Sequence, residues 1–110
     1  MRIGGLIKHW TLIILALAGA GCVTMTPEQK LSHELFVEAA SKCESRYHTI
    51  HVDLVGIDGS LQIHADAESR GEYPGFVACY HETLKAFAES RRKAGLPVPE
   101  ALAQEHDVEL

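Results

Sequence analysis

Ile50-His51-Val52-Asp53-Leu54-Val55-Gly56-Ile57-Asp58-Gly59-Ser60-Leu61-Gln62-Ile63-His64-Ala65 is the stretch that decides the fold. Ile50, Val52 and Leu54 alternate with His51, Asp53 and Val55, and Leu61, Ile63 and Ala65 alternate with Gln62 and His64. A period of two places alternate side chains on opposite faces of a strand. Asp58-Gly59 between the two runs is a strong short-range hairpin signal, because glycine supplies the positive φ that such turns need. Read as a two-residue turn, it sets Ile57 opposite Ser60, Gly56 opposite Leu61, Leu54 opposite Ile63 and Val52 opposite Ala65. Every apolar residue on that face then meets another apolar residue or glycine. A one-residue slip would oppose Leu54 to Gln62, which a buried face disfavours.

The flanking segments change to helical spacing. Thr26-Pro27-Glu28-Gln29 offers an N-cap hydroxyl, a proline at the first helical position and a glutamine able to reach back to the cap. Leu31, Leu35, Ala39 and Cys43 recur every four residues, with Phe36 and Ala40 widening the stripe, so a helix is expected from Pro27 to near Tyr47. Ala67 to Tyr73 reads as a loop. A second helix opens at Pro74 or Gly75, with Phe76, Cys79, Tyr80, Thr83, Leu84 and Phe87 on one face, and stops at Gly95 and Pro97. Arg91-Arg92-Lys93 falls in its last turn, where cations meet the negative end of the helix dipole. The expected class is α+β: an α–β–β–α domain over residues 27–96, with an antiparallel hairpin covered on one face by two amphipathic helices. Residues 97–110, rich in proline and acid, are expected to form a mobile tail with at most a turn or two of helix.

Cys43 and Cys79 fall on the two core stripes. The end of the first helix and the start of the second lie at the same end of the hairpin, so the two sulfurs can meet. A disulfide is expected, and the chain-entropy model gives a loop of this length about 4 kcal/mol.

The outer face of the hairpin carries a constellation of its own. The same register places His51 opposite Asp66 and Asp53 opposite His64. Two imidazoles and two carboxylates on one face could hold Zn²⁺ or another divalent ion. The plainer reading is two cross-strand ion pairs on a solvated face.

The chain has 110 residues, enough for one domain, and carries 10 basic against 15 acidic side chains. This balance, with Arg91-Arg92-Lys93 the only basic run, speaks against nucleic acid and a polybasic membrane patch. No Gly-rich phosphate loop, His-Glu-x-x-His helix or nucleophile motif is present. Ser41, Ser45, Ser60 and Ser90 read as surface or turn serines, and no enzymatic activity is expected.

The first 22 residues are of a different kind. Arg2 and Lys8 form a positive start, Trp10 to Ala18 is an uncharged apolar run, and Gly19-Ala20-Gly21 precedes Cys22. The run is shorter than the ~20 apolar residues of a spanning helix and has the layout of a secretory signal. Leu17-Ala18-Gly19-Ala20-Gly21-Cys22 resembles the lipobox of bacterial lipoproteins, with small residues before the cysteine and Gly19 where a larger aliphatic residue is usual. The resemblance implies a signal peptide over residues 1–21, cleavage before Cys22 and a diacylglyceryl group on its sulfur. Residues 22–26 would then be a lipidated N-terminus with a tether reaching roughly 10–15 Å. Loss of Arg2 and Lys8 would take the formal charge from −5 to −7. Val23 is not the aspartate that retains such proteins in the inner membrane, so the outer membrane is implied.

The helix–hairpin–helix order, with Val52-Asp53-Leu54, Asp58-Gly59-Ser60-Leu61 and Phe76-x-x-Cys79, is distantly similar to short periplasmic domains related to the C-terminal domain of TonB. That similarity bears on fold alone. The functional expectation is a membrane-anchored envelope lipoprotein facing the periplasm. It would act as a non-enzymatic interaction or structural module, with an envelope protein as partner and no cofactor beyond its lipid. The alternative is a divalent-metal module using His51, Asp53, His64 and Asp66, with Zn²⁺ bound.

Overall fold

The structure is a computed structural model that describes residues 24–110. Cys22 and the segment before it lie outside the described residues. The element order is α1 (Pro27–Arg46), β1 (Ile50–Val55), β2 (Leu61–Ala65), a 3-10 helix (Ala67–Glu72), α2 (Tyr73–Lys93), a second 3-10 helix (Glu100–Ala103) and β3 (Val108–Glu109). The three strands form one mixed sheet in the order β1-β2-β3, so the class is α+β.

Helix α1 starts as its sequence dictates. Gln29 N–H donates to Thr26 Oγ1 at 3.1 Å, and Thr26 N–H donates to Gln29 Oε1 at 3.0 Å. These bonds satisfy donors that the first helical turn leaves open. Helix α2 ends in a Schellman arrangement: Leu96 N–H reaches Arg91 O at 2.9 Å and Gly95 N–H reaches Arg92 O at 3.1 Å. Gly95 takes φ +73°, which a side chain would strain. Arg91, Arg92 and Lys93 occupy the last turn of α2.

Phe36, Ala39, Ala40 and Cys43 from α1 meet Ile50, Leu61 and Ile63 from the hairpin and Phe76, Cys79, Tyr80, Leu84 and Ala88 from α2 in one core. Full burial of a phenylalanine, leucine or isoleucine contributes about 1.5–3 kcal/mol, so Phe36, Phe76, Ile50, Leu61 and Leu84 carry much of the stability. Leu31 and Leu35, expected on the same stripe, are only half-buried. Cys43 and Cys79 form the expected disulfide, with Cα atoms 5.9 Å apart across 36 positions of sequence.

The hairpin departs from the expected register. Val52 faces Ile63, His51 faces His64 and Ile50 faces Ala65, whereas nearer the turn Leu54 faces Gln62 and Val55 faces Leu61. The turn is a three-residue loop, Ile57-Asp58-Gly59, not a two-residue one: Gly56 N–H bonds to Ser60 O at 2.8 Å, and Gly59 N–H to Gly56 O at 3.0 Å. Gly59, at φ +92°, closes it. A bulge at Asp53, between Val52 and Leu54, changes the register again. The bulge carries Leu54 out to 55% exposure and turns Val55 inward, the reverse of strict alternation.

Residues 97–110 are packed instead of loose, which corrects the expectation of a mobile tail. Leu102 and Val108 are 4% and 8% exposed and belong to the core. β3 lies parallel to β2, with Leu61 beside Val108 and Gln62 beside Glu109. Leu61 N–H donates to Asp107 O at 2.8 Å. Parallel neighbours need a crossover, and α2 supplies it. The tail thus covers the β2 edge that a lone hairpin leaves open.

Candidate functional site

Two histidine clusters stand out in the fold, one exposed and one buried. The exposed cluster lies on the outer face of the hairpin. His51 and His64 are direct cross-strand partners, with ring centroids 5.2 Å apart and planes inclined by 39°. His64 Nδ1 lies 2.9 Å from each carboxylate oxygen of Asp53. An ionised carboxylate only accepts, so the imidazole Nδ1 carries the proton and donates. The bulge frees Asp53 from ladder pairing and sends its carboxylate to this histidine. Both side chains are open to water, at 63% for His64 and 52% for Asp53.

Asp66 departs from the expected arrangement. The register puts His51 opposite His64, not opposite Asp66, and Asp66 caps the 3-10 helix. It accepts from Ser69 N–H at 3.0 Å and from Ser69 Oγ at 2.6 Å. The Ser69 hydroxyl, and then its backbone N–H, hold the Asp66 carboxyl below its ordinary value of 3.8. Of the four expected ligands, the fold brings His51, Asp53 and His64 together and commits Asp66 elsewhere. Among the described residues no group of three or more His, Cys, Asp or Glu is arranged to hold a metal ion.

The buried cluster joins the tail to the hairpin turn. His106 is 8% exposed, and its Nδ1–H donates to Asp58 O at 2.9 Å. Its ring meets Phe36 edge-on at 5.0 Å and lies nearly parallel to His81 at 6.1 Å. His106 N and His106 O both lie 3.2 Å from His81 Nε2, so either tautomer of His81 finds a partner. Tyr80 Oη donates to Gly59 O at 2.7 Å, and burial of that phenol pushes its ionisation well above the ordinary range. Tyr73 Oη donates to Val108 O. These bonds position the tail and the turn. No spacing in the sequence joins His81 to His106, 25 residues apart.

The outer edge of β1 is also covered. Val52 N–H donates to Glu44 Oε2 at 2.9 Å, and His33 Nε2–H donates to Val55 O at 3.1 Å. Helix α1 thereby occupies backbone groups that an incoming strand would seek. The hydroxyl of Ser60 donates to Asp58 Oδ1 at 2.7 Å and closes the hairpin turn. Between α2 and the tail runs a groove of about 760 Å³ bordered by Lys85, Arg92, Glu89 and Glu105. Its mixed charge suits a polar surface more than an apolar ligand.

Among the described residues no helix is long and apolar enough to cross a membrane. No protein-family model, curated protein or solved structure matches the chain.

Proposed function

We propose that the chain is a small envelope lipoprotein, anchored through a lipid on Cys22 and facing the periplasm, whose domain is a non-enzymatic interaction or structural module. The observation that carries this reading is the sequence itself. An uncharged apolar run with a positive start leads into Leu17-Ala18-Gly19-Ala20-Gly21-Cys22. The Cys43–Cys79 bridge supports it, because disulfides persist in oxidising compartments such as the periplasm. The covered β1 edge and the mixed-charge groove fit a protein that presents a defined polar surface and resists strand-to-strand association.

Only Val23 to Met25 separate Cys22 from the Thr26 cap. The cap then stands within roughly 10–15 Å of the lipid. Thr26, Gln29, Ile57, Asp58 and Gln104 border one cleft, so the first turn of α1, the hairpin turn and the second 3-10 helix make the membrane-proximal end. The outer membrane is the proposed site, since Val23 follows the cysteine. Cell fractionation tests the reading. The wild type should partition with membranes, and Cys22→Ser should remain unprocessed or be released. Equal membrane retention of a normally processed Cys22→Ser protein would count against it.

A further inference from the structure

We propose that His51 and His64 form a two-imidazole site for a divalent transition-metal ion, Cu²⁺ above all, with Asp53 as the residue that positions His64. This does not rest on the lipid anchor. Directly opposed residues in an antiparallel pair have Cβ atoms about 4.5–5.5 Å apart, so two short side chains reach a common point above the sheet. The ring centroids of His51 and His64 lie 5.2 Å apart, a separation that one ion about 2 Å from a nitrogen of each ring can bridge.

Asp53 makes the arrangement more than proximity. Both of its oxygens lie 2.9 Å from His64 Nδ1. With the proton fixed on Nδ1, the Nε2 lone pair is left for a metal. Metal-binding histidines commonly have their other nitrogen held by a carboxylate in this way, which orients the ring and raises its basicity. The bulge at Asp53 serves this geometry, since bulges re-aim side chains. A plain cross-strand ion pair would need only one of the two histidines.

The ligand count sets the choice of metal. Asp66 is bonded to Ser69, and Asp53 faces His64 Nδ1, so two imidazoles bind and water completes the shell. Structural Zn²⁺ sites take four protein ligands, and catalytic ones take three. Cu²⁺ heads the affinity order of divalent ions at nitrogen ligands and tolerates tetragonal coordination shared with water. The site therefore favours Cu²⁺ over Zn²⁺.

The test uses the full chain in detergent micelles, titrated with Cu²⁺ and then with Zn²⁺, and read by calorimetry and electron paramagnetic resonance. The wild type should bind Cu²⁺ with a two-nitrogen signature, at least about tenfold more tightly than Zn²⁺. His51→Gln and His64→Gln should each weaken Cu²⁺ binding by at least about tenfold and abolish that signature; both residues are exposed, and unchanged far-UV circular dichroism should show that the fold persists. Asp53→Ala should weaken binding by about tenfold, Asp53→Asn should restore most of it because an amide oxygen still accepts the Nδ1 proton, and Asp66→Asn should leave it unchanged. Cu²⁺ affinity and signature unaltered in the two histidine variants would overturn the proposal, as would Asp53→Ala binding like the wild type.

Discussion

Gly59 shows how much one residue can decide. Its φ of +92° is open to glycine and strained for any side chain. A Cβ there would stand 2.5 Å from His106 Nδ1 and 2.9 Å from Phe36 Cζ. The need for glycine is therefore set twice, by the turn and by the His106 and Phe36 rings close beside it. Gly59→Ala should cost about 2 kcal/mol or more in urea denaturation, and Gly71→Ala should stay within about 0.5 kcal/mol, since a methyl at Gly71 meets nothing within 4 Å. Equal stability of the two variants would show that the His106–Gly59 packing is not formed. Asp58 and Asp66 are expected to contribute to acid sensitivity. The hydroxyls of Ser60 and Ser69, followed by the same residues' N–H groups, hold both carboxyls below the ordinary 3.8. A carboxyl lowered by folding stabilises the fold above its unfolded value, and that contribution disappears as pH falls through the lowered folded value. The loss therefore belongs below about pH 4. Asp58→Asn/Asp66→Asn should flatten the acid limb of the stability curve there; a limb as steep as the wild type's would contradict this account.

At the scale of elements, what the sequence makes legible is local and what it hides is tertiary. The Thr26-Pro27-Glu28-Gln29 cap, the end of α2 before Gly95, the two strands and the cysteine pairing are all readable, because each follows from neighbouring residues or from simple topology. The hairpin register is not. Asp58-Gly59 suits a two-residue turn as well as the last two positions of a three-residue loop, and local pattern does not choose. The choice is made by bonds from distant residues: Tyr80 Oη to Gly59 O and His106 Nδ1 to Asp58 O. In this arrangement Leu54 is left at 55% exposure. The pairing of His51 with Asp66 belongs to the same regular register, and it fails in two steps: the three-residue loop shifts the partner by one residue and the bulge shifts it by one more, to His64. β3 is hidden for a related reason. A two-residue strand has no periodicity, and Leu102 and Val108 look like stray apolar residues in an acidic segment. Only the open β2 edge and the core beneath explain them. Leu102→Ala should cost about 2–4 kcal/mol. Val108→Asp should strip hydrogen-exchange protection from the Leu61 amide, which bonds to Asp107 O. Unchanged protection of that amide in Val108→Asp would mean that the tail does not seal the sheet.

At the scale of the whole molecule, the described residues form a small domain held by its core, the Cys43–Cys79 bridge and a tail that closes the sheet. A core of this size leaves little margin, and the bridge and the tail add what two helices on a hairpin lack. The acidic balance and the covered strand edge describe a surface kept from indiscriminate association. They do not name a partner, because a binding surface has no local sequence signature of the kind a helix cap has. The strongest statement about the protein's place in the cell comes from six residues, Leu17 to Cys22, and the lipid they imply. The most direct test is mass spectrometry of the N-terminal peptide isolated from cells. A peptide beginning at Cys22 and carrying a diacylglyceryl group and fatty acid is the expected result, absent from Cys22→Ser cells. A mature chain beginning at another residue, or a Cys22 with an unmodified sulfur, would contradict it.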